Sequence, residues 1–279
     1  MKASEAANLD VASFHAPKDV VPAGDPIVDV ARLGPPTAMT SVVLTCGTWE
    51  DEGLCASGIQ TALIEEGLGN GLTDDVGLVL VHAVAPPGLS GLGKRSPALM
   101  DLPDASAWSN SALAAAEHRF ASYLQGTSRA LAVAGNNSVP WQARLLCQIA
   151  DRFFGLSQRI MLIDLRTGPG NYGEADILAC RTGSEASLDQ TAQIIGHDAE
   201  AGPPLAQGVP GDLACGLIAA LERADLAAAV LEFGTYSMRS VLAAGDRRVF
   251  YPDHEDWREQ TYGLATSALQ RIFTALSGA

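Results

Sequence analysis

The chain has 279 residues, 47% of them hydrophobic and 18% charged, and 32 acidic against 18 basic residues give a formal net charge of −14. This composition excludes a disordered chain, the clustered Lys and Arg of a nucleic-acid footprint, and docking on an anionic membrane surface. The length can bury the core of one large α/β domain, and the acidity serves solubility.

The segment MKASEAANLDVASFHAPKD at residues 1–19 lacks the apolar run of a secretory leader. No stretch reaches the ~20 uncharged apolar residues of a membrane span, and five scattered cysteines without a CxxC pair make the cytoplasm the expected location. Residues 1–279 are expected to form one domain, with roughly the first 25 peripheral to it.

SVVLT (41–45) then reads as a strand buried on both faces, followed by a helix over 56–67 and a second buried strand, VGLVLVHAV (76–84). APPGLSGLGKRSPALMDLPDASAWSN (85–110) is too rich in Gly and Pro to be regular. Helical patterns at 109–125 and 141–155 lead to the strand RIMLIDLRTG (159–168) and a fifth strand candidate, ADILAC (175–180). A second irregular loop, EAGPPLAQGVPG (200–211), precedes a helix at 212–223, the strand AAAVLEFGT (227–235) and a helix at 256–276. The alternation predicts a single three-layer α/β/α domain around a mixed sheet.

In open α/β sheets the ligand site lies beyond the carboxyl ends of the strands. Those ends carry Thr48 to Glu52, His82, Asp164 to Thr167, and Glu232 to Tyr236. The loop CGTWEDEG (46–53) is unusual in packing Trp49, Glu50, Asp51 and Glu52 together. A solvated charge run accounts for Glu50 and Asp51, although two facing carboxylates would also suit glycoside chemistry. Trp49, Tyr172 and Tyr236 lie near strand ends and are candidates for an aromatic rim around a ligand, with plain packing the equal alternative.

Other patterns carry less. The five cysteines (46, 55, 147, 180 and 215) form no CxxC pair and read as reduced buried thiols. Cys46 follows a strand but has no base nearby in sequence. His82 reads as a core histidine with a hydrogen-bond partner, His254 as a loop residue, and no histidines show HxxxH spacing. GLSGLG (88–93) does not match the GxSxG of a serine hydrolase and CASG (55–58) matches it only partly. GPGNYG (168–173) lacks the strand–GxGxxG–helix context of a nucleotide site.

An ordered set of landmarks resembles a known family. VDVARLGP (28–35), VLTCGT…EG.CASG (43–58), LVHAVAPPGL (80–89), IDLRTGPGNYG (163–173), LEFGTY (231–236) and FYPDHEDWR (250–258) look like the zinc carboxypeptidase-like proteins of unassigned function related to succinylglutamate desuccinylases and aspartoacylases. The resemblance implies a carboxypeptidase-like fold and, in its typical members, zinc-dependent amide or peptide hydrolysis. There, the His and Glu of GTHGxEG and the His of DLHTG bind zinc, the Glu of LEFGT is the general base, and a DLNRNF-like segment supplies an arginine for a substrate carboxylate.

At these positions the chain carries Trp49 for the first ligand, Glu52 for the second, Arg166 for the third and Glu232 for the base. An ungapped extension places Asp101 and Asp104 in the substrate segment, without its arginine. Indole offers only an N–H donor, and guanidinium has no lone pair. The reading that follows has no metal and no cofactor. Zinc-dependent hydrolysis is lost, and the chain is a pseudoenzyme or a binder of a small-molecule or peptide-like ligand. In this reading Arg166 lies between Glu52 and Glu232 as the cation of a relict site, near Asp164. The alternative is a metal-independent enzyme in which Glu232 is the acid/base and Arg166 holds an anionic substrate group.

Overall fold

The computed structural model describes residues 9–15, 27–47, 53–67, 72–84, 141–179, 225–237, 239–241 and 247–277. Its strands are β1 (Asp10–His15), β2 (Ile27–Leu33), β3 (Thr40–Cys46), β4 (Val76–His82), β5 (Arg159–Gly168), β6 (Ala175–Ala179) and β7 (Asp225–Gly234). The helices are α1 (Gly53–Glu65), α2 (Trp141–Phe154) and α3 (Glu255–Ser277), with a 3₁₀ turn at Arg247–Phe250.

The strands make one sheet in the order β1-β2-β4-β3-β5-β7-β6. β4, β3, β5 and β7 run parallel, while β1, β2 and β6 are antiparallel to their neighbours. β3 is buried at every residue, as its continuous apolar run demands of a central strand. The side-chain period of two then divides the sheet between two cores. Val42, Leu44, Leu78, Leu80, Ile163, Leu165, Leu231 and Phe233 pack with Ile59 and Leu63 of α1 and with Trp257, Leu269 and Ile272 of α3. On the other face Val43, Val79, Val81, Leu162 and Ala228 pack with Leu145, Leu146, Ile149 and Phe153 of α2. The mixed three-layer α/β/α architecture is therefore as the sequence predicts.

β1 and β2 were not predicted. β1 has no buried residue, and β2, four of whose seven residues are buried, is interrupted by Asp29 and Arg32, so neither presents an uninterrupted apolar run; β2 was visible only as part of the landmark VDVARLGP. The expected helices at 109–125 and 212–223, and the loops 85–110 and 200–211, lie outside the described residues. Among the described residues no helix is long and apolar enough to cross a membrane.

Candidate functional site

The parallel strands end on one edge of the sheet, so β3, β5 and β7 deliver their last residues side by side. Arg166 and Glu232 are direct partners in the β5–β7 register. Arg166 Nε donates to Glu232 Oε2 at 2.8 Å, with the two side chains 16% and 20% exposed. The same face of β5 carries Asp164, fully buried, whose Oδ1 accepts from Thr45 Oγ1 of β3 at 2.6 Å. Asp164 and Arg166 follow Leu162 at a spacing of two, so this polar set continues the α2-facing core toward the open end of the sheet.

Glycines make the arrangement possible. The Glu232 carboxyl group lies against the Cα of Gly168, in the space a β-carbon would fill. The Asn171 carbonyl occupies the corresponding space at Gly234, and the Gln260 side chain that at Gly173, which has φ +72°. Gly170 N–H donates to Tyr236 C=O at 3.0 Å, Thr235 N–H to Gly168 C=O at 3.1 Å, and Gly234 N–H to Glu174 C=O at 2.8 Å. GPGNYG is thus a loop packed backbone-to-backbone on the end of β7. Close approach, not phosphate binding, explains its glycines.

This packing brings Tyr172 and Tyr236 together, with ring centroids 6.3 Å apart, and His254 lies 6.5 Å from Tyr172. Tyr172 Oη donates to Asp256 Oδ1 at 3.1 Å, in the first turn of α3. Two of the three expected rim aromatics are therefore neighbours, and His254 sits on a loop as predicted.

Trp49, Glu52, Asp101 and Asp104 lie outside the described residues. The neck of the Trp49 loop is nonetheless defined. Gly47, at φ +64°, and Gly53 touch so closely that a β-carbon on Gly53 would stand 2.6 Å from the Gly47 Cα. The end of β3 and the start of α1 are therefore in backbone contact at two glycines. Ala83 packs on Gly47 from the end of β4 and itself holds φ +56°, a conformation a non-glycine residue seldom adopts.

Beneath this neck the thiols are sealed. Cys46 Sγ is 3.4 Å from Gln60 Oε1, and burial with the nearby Asp164 charge pushes its pKa up to about 12 against the backbone hydrogen bond from Ala83. Burial likewise raises Cys55 to about 12. His82 is partly buried, with Nε2 2.7 Å from Ser57 Oγ of α1. Burial pulls its pKa below the usual 6.5, and Asp29 opposes the shift. The Ser57 and Asp29 partnerships of His82 were missed in the sequence. The weak match of CASG to a nucleophile motif was their one trace.

The mixed α/β/α fold is carboxypeptidase-like. The chain belongs to the family described as protein of unknown function (DUF2817), whose model matches residues 1–96 and 131–248. Among solved structures it resembles a candidate carboxypeptidase A from Shewanella denitrificans OS-217, at 13% identity over 98% of this chain and 68% of that one, with a TM-score of 0.51. It is also similar to the succinylglutamate desuccinylase of Chromobacterium violaceum, at 16% identity over 99% and 71% of the two chains and a TM-score of 0.42. A third similar structure is a metallo-carboxypeptidase from Pseudomonas aeruginosa in complex with (2-guanidinoethylmercapto)succinic acid, at 14% identity over 96% and 68% and a TM-score of 0.47. No curated protein matches the chain. At these identities the likeness is one of fold.

Proposed function

We propose that this protein binds a small-molecule or peptide-like ligand in a cleft at the carboxyl ends of β3, β5 and β7, and no longer performs zinc-dependent amide hydrolysis. The supporting observation is the ion pair between Arg166 and Glu232. By the family resemblance, these residues stand where a zinc ligand and the general base would be. A catalytic zinc takes about three ligands from His, Glu, Asp or Cys and keeps a position open for water. Arg166 and Trp49 cannot serve, which leaves Glu52 alone of that set. The donor set does not fit zinc, and the guanidinium instead supplies the positive charge that faces the Glu232 carboxylate. Asp164, Tyr172 and Tyr236 complete the proposed surroundings of the cleft.

Partial exposure of the pair also favours a second reading, in which Glu232 works as a metal-independent acid/base and Arg166 holds an anionic substrate group. The first test is metal content by plasma mass spectrometry before and after loading with excess zinc. Stoichiometric zinc that is lost in Glu52→Gln would overturn the proposal and restore a zinc hydrolase. A zinc-free protein that still cleaves N-acyl amino acids, and loses that activity in Glu232→Gln, would select the second reading.

A further inference from the structure

We propose that this chain has a second, metal-independent centre, in which Ser57, His82 and Asp29 act as nucleophile, base and positioning carboxylate in acyl transfer from small carboxylic esters. Ser57 Oγ and His82 Nε2 are 2.7 Å apart, the distance at which a neutral imidazole accepts a hydroxyl proton. Asp29 is the direct partner of His82 in the antiparallel β2–β4 ladder. Side chains facing one another across such a ladder have β-carbons ~4.5–5.5 Å apart. Asp29 is supported in turn, because Ser13 Oγ of β1 donates to Asp29 Oδ1 at 2.6 Å. The residues come from three strands and a helix, and the alternation with Ala31, Leu78 and Leu80 puts them on the α1 face of the sheet. Arg166 and Glu232 lie on the opposite face and beyond β3, so the two centres do not share side chains.

Three features suit this constellation to chemistry. Burial holds the His82 pKa below 6.5, so the ring is neutral and able to act as a base near neutral pH. Gly58 is exposed with open space where a side chain would project, leaving an approach beside Ser57. Ser57 also stands one turn inside α1, whose first N–H groups lack intrahelical partners and favour developing negative charge. Ala83, the residue after His82, is held at φ +56°, with its N–H 3.5 Å from Cys46 Sγ. Such strain is maintained where the surroundings fix a precise geometry.

In the reaction, Ser57 Oγ adds to the ester carbonyl carbon as its proton passes to His82 Nε2. The bond to the leaving oxygen breaks, and His82 returns the proton to it, releasing the alcohol. Water then gives a proton to His82 and adds to the acyl carbon. Ser57 Oγ departs and regains the proton, so ester and water yield acid and alcohol.

The test is labelling of the full-length protein with a fluorophosphonate, followed by peptide mass mapping, a reaction that does not depend on zinc. The expected result is one phosphonyl group on Ser57 with loss of fluoride, absent in Ser57→Ala and reduced at least tenfold in folded His82→Gln. In Asp29→Asn the midpoint of labelling rate against pH moves downward. Among the described residues Asp29 is the charged group acting on the ring, and losing a negative neighbour lowers the His82 pKa. A purely structural Asp29 would leave that midpoint in place. Should a variant fail to fold, the wild type decides alone: prior labelling must abolish its hydrolysis of p-nitrophenyl acetate. A wild-type protein unlabelled at Ser57 beside a reactive serine-hydrolase control, or labelling undiminished in His82→Gln, overturns the proposal.

Discussion

Arg166 and Glu232 face each other across adjacent parallel strands, joined by a 2.8 Å hydrogen bond from Nε to Oε2. Each is largely but not completely withdrawn from water, so each depends on the other for solvation. This relationship supports the reading of the cleft as centred on a guanidinium.

Arg166→Ala therefore leaves Glu232 a carboxylate without its cation. Breaking a fully buried pair costs about 3–5 kcal/mol, and water reaching these partly exposed groups should relieve some of that, leaving about 1–3 kcal/mol. Urea titration measures it. The double variant Arg166→Met/Glu232→Gln should recover part of the loss, and an unchanged midpoint in Arg166→Ala would remove the pair from the account.

Gly168→Ala and Gly234→Ala separate site from scaffold. At Gly168 the added carbon meets the movable end of Glu232, whereas at Gly234 it meets the backbone carbonyl of Asn171. Gly234→Ala should cost about 1–3 kcal/mol or more as overpacking against a fixed group. Gly168→Ala should cost less, while displacing Glu232 from Arg166. Thermal melts of the two proteins check the order.

The thiols of Cys46 and Cys55, raised to about 12 by burial, should be inert in the native state. Alkylation with iodoacetamide at pH 8 and mass mapping should find both unmodified until denaturant is added. Native modification of Cys46 would show that the neck formed by Gly47 and Gly53 opens.

His82 should make stability depend on pH in one direction. Its folded pKa lies below the ordinary 6.5, so between those values the unfolded chain binds more protons. The contribution is fully present above pH 6.5 and is lost as pH falls through the folded pKa. Wild-type protein should thus lose stability below pH 6.5 more steeply than His82→Gln, as read by melting temperature across pH 4–8.

Much of the scaffold was legible in the sequence, because burial on both faces writes itself as an apolar run. β3, β4, β5 and β7 were found for that reason, and α3 was predicted to within a residue at each end. The two missed strands lack such a run: Asp10–His15 has no buried residue, and in Ile27–Leu33 the charged Asp29 and Arg32 interrupt the apolar residues although four of the seven are buried. The sequence also told which residue types stand at the strand ends, and so which side chains occupy the positions that the resemblance assigns to zinc ligands and base. Partnership was another matter. That Arg166 meets Glu232 follows from the β5–β7 register, that Gly168 must lack a side chain follows from where Glu232 lies, and that His82 meets Ser57 and Asp29 follows from α1 and β2 converging on β4. Patterning along a chain records how buried each residue is. It does not record which distant residue shares that burial, and only the assembled sheet, with strands neighbouring out of sequence order, decides it.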